Sequence, residues 1–312
     1  MIEINGLTKI YGTKCVVDNI SFSVEAGEIV GFLGPNGAGK STTMNMLTGY
    51  LSATSGTAKI AGIDILENPT EAKAKIGFLP EQPPLYLDMT VKEYLDFVYH
   101  LKKCTLNRKK HIGEICNVVK IDNVYNRLIK QLSKGYRQRV GIAQALIGNP
   151  EVLIFDEPTV GLDPKQIIEI RNLIKGLGKH HTVILSTHIL PEVQAVCDRI
   201  VVINNGRLVA NQKTQDLSVA QNTVQRLSVK IAGDCGEVLS LLKNTQGVAY
   251  AEVANQAEEY CSYIVEAQKN VDVRKPMFYA LCEKRFPIME LTSMGTNLED
   301  VFISLIKEGG EQ

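Results

Sequence analysis

No apolar run in the sequence reaches the ~18–20 residues that a helix needs to cross a bilayer. If the protein serves a membrane process, a partner is expected to supply the membrane part. The N-terminus, Met1-Ile2-Glu3-Ile4, reads as a strand and not as a signal peptide. There is no surplus of charge of either sign, since 34 Lys and Arg stand against 34 Asp and Glu. Without a basic field, a nucleic-acid partner is not expected. No CxxC pair occurs among the seven cysteines, Cys15, Cys104, Cys116, Cys197, Cys235, Cys261 and Cys282. The odd count and the scattered spacing point to reduced, mostly packed thiols in a cytosolic protein. Internal repeats and low-complexity tracts are also missing.

What is present suits two globular domains. The chain has 312 residues, 45% of them hydrophobic and 22% charged, enough to bury a core without staples. Short alternating segments occupy the stretch up to about Gly31. Strand-like runs then follow at Glu28–Leu33, Lys75–Leu79, Val152–Phe155, Thr182–Ser186 and Ile200–Ile203, with helical stretches between several of them. That alternation predicts a largely parallel sheet with helices on its faces. Between Thr90 and Gly148 the pattern turns helical, at Val91–Leu101, Arg108–Lys120 and Gly135–Ile147. Beyond the polar stretch Gln212–Thr223, expected as a linker, the order is strand Val224–Ala232, helix Gly236–Lys243 and strands Val248–Val253 and Tyr260–Ala267. Helix Lys275–Lys284, strand Ile288–Ser293 and a last helix, Asn297–Lys307 capped by Asn297, complete it. The first six of these give the βαββαβ order of a ferredoxin-like unit.

The strongest chemical signal is Gly34-Pro35-Asn36-Gly37-Ala38-Gly39-Lys40-Ser41. It follows a strand-like run and opens a helical one, the context in which G-x-x-x-x-G-K-[ST] cradles phosphate. Its glycines let successive N–H groups face phosphate oxygens, and the helix N-terminus adds partial positive charge. Lys40 can reach the β- and γ-phosphates of a nucleotide, and the Ser41 hydroxyl can ligand Mg²⁺. A second apolar run ends in two adjacent acids, Asp156 and Glu157. Asp156 suits Mg²⁺ held through its water shell, and Glu157 suits activation of a water. Alone this pair is a weak signal. A third run, Thr182–Thr187, is followed by His188, which on its own reads more readily as a loop residue. Ser133 and Gly135 precede a helix and could form an anion site, though read alone they are more readily a plain capped helix. His180-His181 reads as a loop in preference to a metal site.

Together these segments resemble the ATP-binding cassette (ABC) family, in motif order, over about residues 1–217. Tyr11 stands where the family stacks adenine, Gln82 matches its glutamine loop and Leu132–Tyr136 its LSGGQ signature. Asp156 and Glu157 match the second nucleotide motif, Asp163 the D-loop and His188 the switch histidine. Lys134 and Tyr136 depart from the signature, in the manner of an exporter branch that includes antibiotic-resistance and gliding-motility ATPases; the tail ending Asn297-Leu298-Glu299-Asp300-Val301-Phe302 is similar to that branch's extension.

The resemblance implies an α/β P-loop NTPase core (1–217) with a β-rich N-terminal subdomain and a helical insertion at about 90–148. A small α+β accessory domain, 218–312, follows. It implies ATP hydrolysis with ATP and Mg²⁺ as ligands. Nucleotide contacts are expected at Tyr11, Gly34, Pro35, Asn36, Gly37, Ala38, Gly39, Lys40, Ser41, Thr42, Gln82, Ser133, Gly135 and Asp163. Metal contacts are expected at Ser41, Gln82 and Asp156, with Glu157 and His188 catalytic. The expected partners are a second ATPase subunit, as a homodimer, and an integral membrane permease at the cytoplasmic face of the membrane. Rival readings stay open. A translation or repair ATPase is disfavoured by the 9 Lys+Arg against 13 Asp+Glu in residues 221–312, an importer ATPase by Lys134 and Tyr136, and a GTP switch by the lack of an NKxD stretch.

Overall fold

The structure, a computed structural model, describes residues 1–214, 225–257, 259–269 and 271–294. The chain divides into two compact units, the first built on Met1–Thr214.

The first unit carries two sheets. Strands β1 (Ile2–Tyr11), β2 (Lys14–Val24), β4 (Ser55–Ile60) and β5 (Ile63–Asp64) form an antiparallel sheet in the order β2-β1-β4-β5. Along β2, buried and exposed residues alternate, as they must when one face is solvated. The second sheet has the order β10-β9-β3-β8-β7-β6, with β3 at Ile29–Leu33, β6 at Ile76–Leu79 and β7 at Val152–Asp156. Strands β8 (Thr182–Thr187), β9 (Arg199–Asn204) and β10 (Arg207–Lys213) complete it. All its neighbours run parallel except β10 against β9. Every residue of β3, β7 and β8 is buried, because helices and the other sheet cover both faces of a parallel layer. The core between the layers joins Ile2, Ile4 and Val24 to Phe32, Met44, Ile154 and Ile184.

Register fixes where the loops emerge. Leu33 of β3 lies beside Thr187 of β8, and Asp156 of β7 beside Ser186. The ends of the three strands therefore share one edge, where parallel sheets bind ligands.

The helical block consists of α3 (Val91–Leu101), α4 (Arg108–Val119) and α5 (Lys134–Leu146), after the short α1 (Lys40–Leu47) and α2 (Pro69–Ala74). Each of the three is started by a side chain. Thr90 Oγ1 accepts from Glu93 N while the Glu93 carboxylate accepts from Thr90 N, Asn107 accepts from Lys110 N, and Ser133 accepts from Tyr136 N. Helix α6 (Pro164–Leu177) is capped by Asp163, and α7 (Leu190–Val196) follows β8.

Two expectations need correction here. The polar stretch Gln212–Thr223 begins inside β10, an edge strand that can carry polar residues on its open side; residues 215–224 lie outside the described residues. The thiols are not all reduced and packed. Cys235 and Cys261 form a disulfide with a Cα–Cα separation of 6.0 Å. Of the remaining five, Cys116 and Cys197 are buried while Cys15 and Cys282 are exposed. The bridged pair is 26 residues apart, one partner opening a helix and the other a strand, so no short Cys spacing announces it.

In the second unit β11 (Arg226–Ile231), α8 (Cys235–Asn244), β12 (Val248–Gln256), β13 (Cys261–Ala267), α9 (Arg274–Glu283) and β14 (Ile288–Met294) follow one another. The strands form an antiparallel sheet in the order β12-β13-β11-β14. Val238 and Leu242 of α8, with Met277 and Leu281 of α9, pack on Leu227, Val229 and Ile231 and on Tyr263 and Val265. Leu227 and Leu242 are fully buried, and burial of one such side chain contributes about 1.5–3 kcal/mol. The expected helix at Asn297–Lys307 lies outside the described residues.

Candidate active site

The phosphate-type loop is squeezed between two strands before it opens into α1. A Cβ on Gly34 would lie 2.4 Å from the Ile203 carbonyl oxygen, and one on Gly39 2.8 Å from that of Val16. Gly39, which caps α1, has φ 107°, and Gly37 has φ 81°. Both values belong to the left-handed region that glycine enters without strain. The backbone then rises into α1 with no acidic side chain in the first turn, an arrangement that favours an anion.

Lys40, the first residue of α1, is 6% exposed. Its ammonium donates to the carbonyls of Gly34 at 2.8 Å and Pro35 at 3.3 Å, and lies 3.4 Å from Glu157 Oε1. A buried cation must be paired and hydrogen-bonded, and this one is both.

Adjacent acids at a strand end should point to opposite faces. The chain resolves this by turning at Glu157, which has φ 48°. Its N–H donates to the Ser186 carbonyl at 3.0 Å, extending the β7–β8 pairing by one residue. Asp156 stays in the sheet, buried, and accepts from the Ser186 hydroxyl. The Glu157 carboxylate swings to the edge, where both its oxygens lie 3.0 Å from His188 Nδ1. A non-glycine residue at positive φ costs energy and persists where surrounding contacts enforce it.

A cavity of about 490 Å³ opens over this edge, lined by Lys14, Val16, Asn36, Gly37, Gly39, Lys40, Ser41, Thr42, Glu81, Glu157, Val160 and His188. The structure thus brings the loop, Glu157 and His188 together. Other expected site residues stand elsewhere. Tyr11 is half exposed, with Lys9 Nζ 5.2 Å from its ring centroid, and does not line the cavity. Gln82 is exposed and its neighbour Glu81 lines the cavity instead. Ser133 and Asp163 cap helices, and Gly135 lies beneath the Gln166 side chain, which a Cβ would meet at 2.6 Å. Lys134 reaches the neighbourhood of Gly161, and the Tyr136 hydroxyl accepts from Asn123 Nδ2 at 2.8 Å.

A larger cavity of about 570 Å³, lined in part by His111, Arg139, His180 and His181, shares no residue with this one. Two of its histidines have structural partners. His181 Nδ1 meets the Pro150 carbonyl at 2.7 Å, and His111 Nε2 accepts from Gly148 N at 3.0 Å. Burial lowers the pKa of both rings, so each favours the neutral form that suits these bonds.

A strand, a glycine loop with a buried lysine, and a second strand ending in acids make up a phosphate-handling site. Comparison with known proteins gives that site its family. The ABC transporter family model matches residues 17–160. The ABC transporter ATP-binding protein YcbN of Bacillus subtilis (strain 168) is 36% identical over 308 residues, covering 98% of this chain and 97% of that protein. This protein belongs to the ABC transporter ATP-binding family. A Nod factor export ATP-binding protein I of Neorhizobium galegae is 32% identical over 308 residues, 97% of this chain and 84% of that protein. The dimeric ABC cassette MJ0796, solved in a post-hydrolysis state with ADP and Pi, superposes with a TM-score of 0.63 at 28% identity. It covers 69% of this chain and 99% of that one. As an ABC ATP-binding subunit, the chain binds and hydrolyses ATP. Its core is the α/β P-loop fold of the cassettes, followed by a small α+β unit.

Sequence reasoning missed several residues at the site. Lys14, Val16, Glu81 and Val160 come to the cavity through the fold, from segments whose spacing encodes no chemistry. Ser186, which holds Asp156, sits inside an apolar strand and is visible only as a polar residue at a buried position.

Proposed function

We propose that the chain is the ATPase subunit of an exporter, working as a homodimer on a separate integral membrane permease at the cytoplasmic face of the membrane. The observation that carries the reading is the Lys40–Glu157–His188 constellation in one cavity. Ser133 and Gly135 stand at the start of α5, outside that cavity's lining. A second copy facing the first supplies those two groups, as a dimeric cassette can. Export follows the relatives, one of which is named for Nod factor export.

The roles of the loop, Glu157 and His188 rest on their shared cavity, and those of the remaining residues on the family resemblance. The loop N–H groups from Gly34 to Thr42, Pro35 excepted, and the Lys40 ammonium bind and orient the phosphates, displacing the lysine from its carbonyl partners. Glu157 takes a proton from the attacking water, and His188 holds Glu157 and reaches the γ-phosphate. Ser133 and Gly135 of the second copy close on the γ-phosphate and exclude water. Asp163 contacts the facing copy, Tyr11 the adenine, and Gln82 passes the nucleotide state to the helical block beside Pro83-Pro84-Leu85-Tyr86, where the permease docks. The donor set fits Mg²⁺, since the Ser41 hydroxyl, the Gln82 amide oxygen and the Asp156 carboxylate are hard oxygen ligands. Ser41, Gln82 and, through water, Asp156 would hold Mg²⁺, which would supply neutralisation of the phosphate charge.

No helix among the described residues is long and apolar enough to cross a membrane, which suits a subunit that reaches the membrane through a partner. Purification of the tagged chain from membranes tests this. We expect an integral membrane protein of about six spans to co-purify, with helices of ~20 residues each. Recovery of ribosomes in its place would favour a translation ATPase.

Residues 218–312 are read as an accessory domain of ferredoxin-like connectivity, regulatory or dimer-supporting and without catalytic groups, because every hydrolysis motif lies between Tyr11 and His188. A chain ending at Leu217 is expected to bind Mg·ATP with an affinity within about threefold of the full chain, a free-energy change well under that of a tenfold effect, while its basal turnover shifts. A truncated chain that keeps its circular dichroism spectrum but binds no ATP would contradict this division of labour.

A further inference from the structure

Glu192 is 1% exposed, although a carboxylate is among the groups most costly to bury. One of its oxygens collects two hydroxyls: Thr159 Oγ1 donates to Oε2 at 2.7 Å, and Thr187 Oγ1 donates to the same atom at 3.2 Å. The other oxygen lies 3.5 Å from Arg171 Nη2. Both threonines are buried, and Thr187 Oγ1 also accepts from Ile189 N at 3.1 Å.

These partners are set in revealing places. Thr159 is two residues beyond Glu157, in a turn closed by Val160 N to Glu157 O at 3.2 Å and Leu162 N to Thr159 O at 3.2 Å. Thr187 immediately precedes His188. Arg171 belongs to α6, the helix that Asp163 caps. One carboxylate therefore joins the segment after the proposed base, the strand end before the proposed switch histidine and the helix after the D-loop. Glu157 and His188 meet each other at 3.0 Å on the cavity side, and their two backbones are clamped together from behind. A buried network with shared acceptors stiffens what it joins, and reacting groups must be held within a fraction of an ångström.

We propose that Glu192 is a positioning residue for ATP hydrolysis, which sets the Glu157–His188 pair by binding Thr159 and Thr187 on one carboxylate oxygen. The proposal rests on the roles given above to Glu157 and His188. Glu192 touches neither of them nor the cavity. A purely structural carboxylate in the first turn of α7 would stabilise the helix N-terminus and leave the chemical step alone.

Steady-state ATPase kinetics of the full chain, with thermal melting of each variant, decide between the two. Glu192→Gln and Thr159→Val are each expected to lower kcat about ten- to a hundredfold, the size of effect that a misplacement remote from the chemistry produces. KM for ATP should stay within about twofold, as a change confined to the transition state requires. Thr159→Ser, which keeps the hydroxyl, should recover kcat to within about threefold of the parent. The double variant Thr159→Val/Glu192→Gln should be no slower than Glu192→Gln, because the two act as a unit. If Glu192→Gln does not fold, the Val and Ser variants at 159 decide alone. Wild-type kcat in Thr159→Val overturns the proposal. So does an equal loss in the Ser and Val variants in step with a fall in melting temperature. Glu157→Gln serves as the control: if it retains turnover, the reading of Glu157 itself has failed. If it is inactive while Thr159→Val is normal, only the positioning role has failed.

Discussion

Glu157→Gln is expected to bind ATP as the parent does and to lose hydrolysis by about a hundredfold or more, the range of general-base contributions. The amide fills the same volume and keeps an oxygen for His188 Nδ1, which now lies 3.0 Å from both carboxylate oxygens. It cannot accept the proton of an attacking water. It also removes the charge that lies 3.4 Å from Lys40, so the lysine is freer to meet phosphate. Binding therefore survives or tightens. With closure intact and cleavage blocked, the ATP-bound dimer should accumulate and elute as a dimer in size exclusion with Mg·ATP. A variant that turns over within about threefold of the parent and elutes as a monomer would remove Glu157 from the chemistry.

Lys40→Ala should abolish useful ATP binding. The truncation keeps the glycines and the helix terminus and removes the ammonium. That group is the single side-chain cation within the loop from Gly34 to Thr42, and its hydrogen bonds to Gly34 and Pro35 also brace the loop's shape. Charge-assisted contacts to phosphate are the strong ones, and losing one is expected to weaken binding by about two orders of magnitude, roughly 2.7 kcal/mol. Isothermal titration with Mg·ATP reads this directly. Near-parental affinity would show that the backbone suffices.

Much of this was legible before any coordinates. Apolar runs gave β3, β7 and β8 within a residue of their observed ends, because a strand buried on both faces carries its apolar residues consecutively and not in alternation. Val91–Leu101 was legible to the residue from its amphipathic periodicity, and the structure shows its start fixed by the Thr90–Glu93 capping box. Strands β4, β5 and β10 were not, being short or half exposed, with patterns that polar residues interrupt. At the site, the loop carries its own spacing and announces itself. The left-handed turn at Glu157 does not, because nothing in a Glu side chain signals positive φ. Glu192 was invisible for another reason: its partner Thr159 is 33 residues away, and the bond exists only once the fold brings α7 to the turn that holds Thr159.

The turn at Glu157 has a consequence for how this position can evolve. A glycine there would relieve a backbone conformation that costs an ordinary residue about 1–2 kcal/mol, and it would also take the carboxylate away from His188 and Lys40. If Glu157 is the base proposed above, robustness and turnover pull the position in opposite directions. On that reading, a lineage selected for persistence alone would drift toward glycine at 157, and one selected for turnover would hold the glutamate.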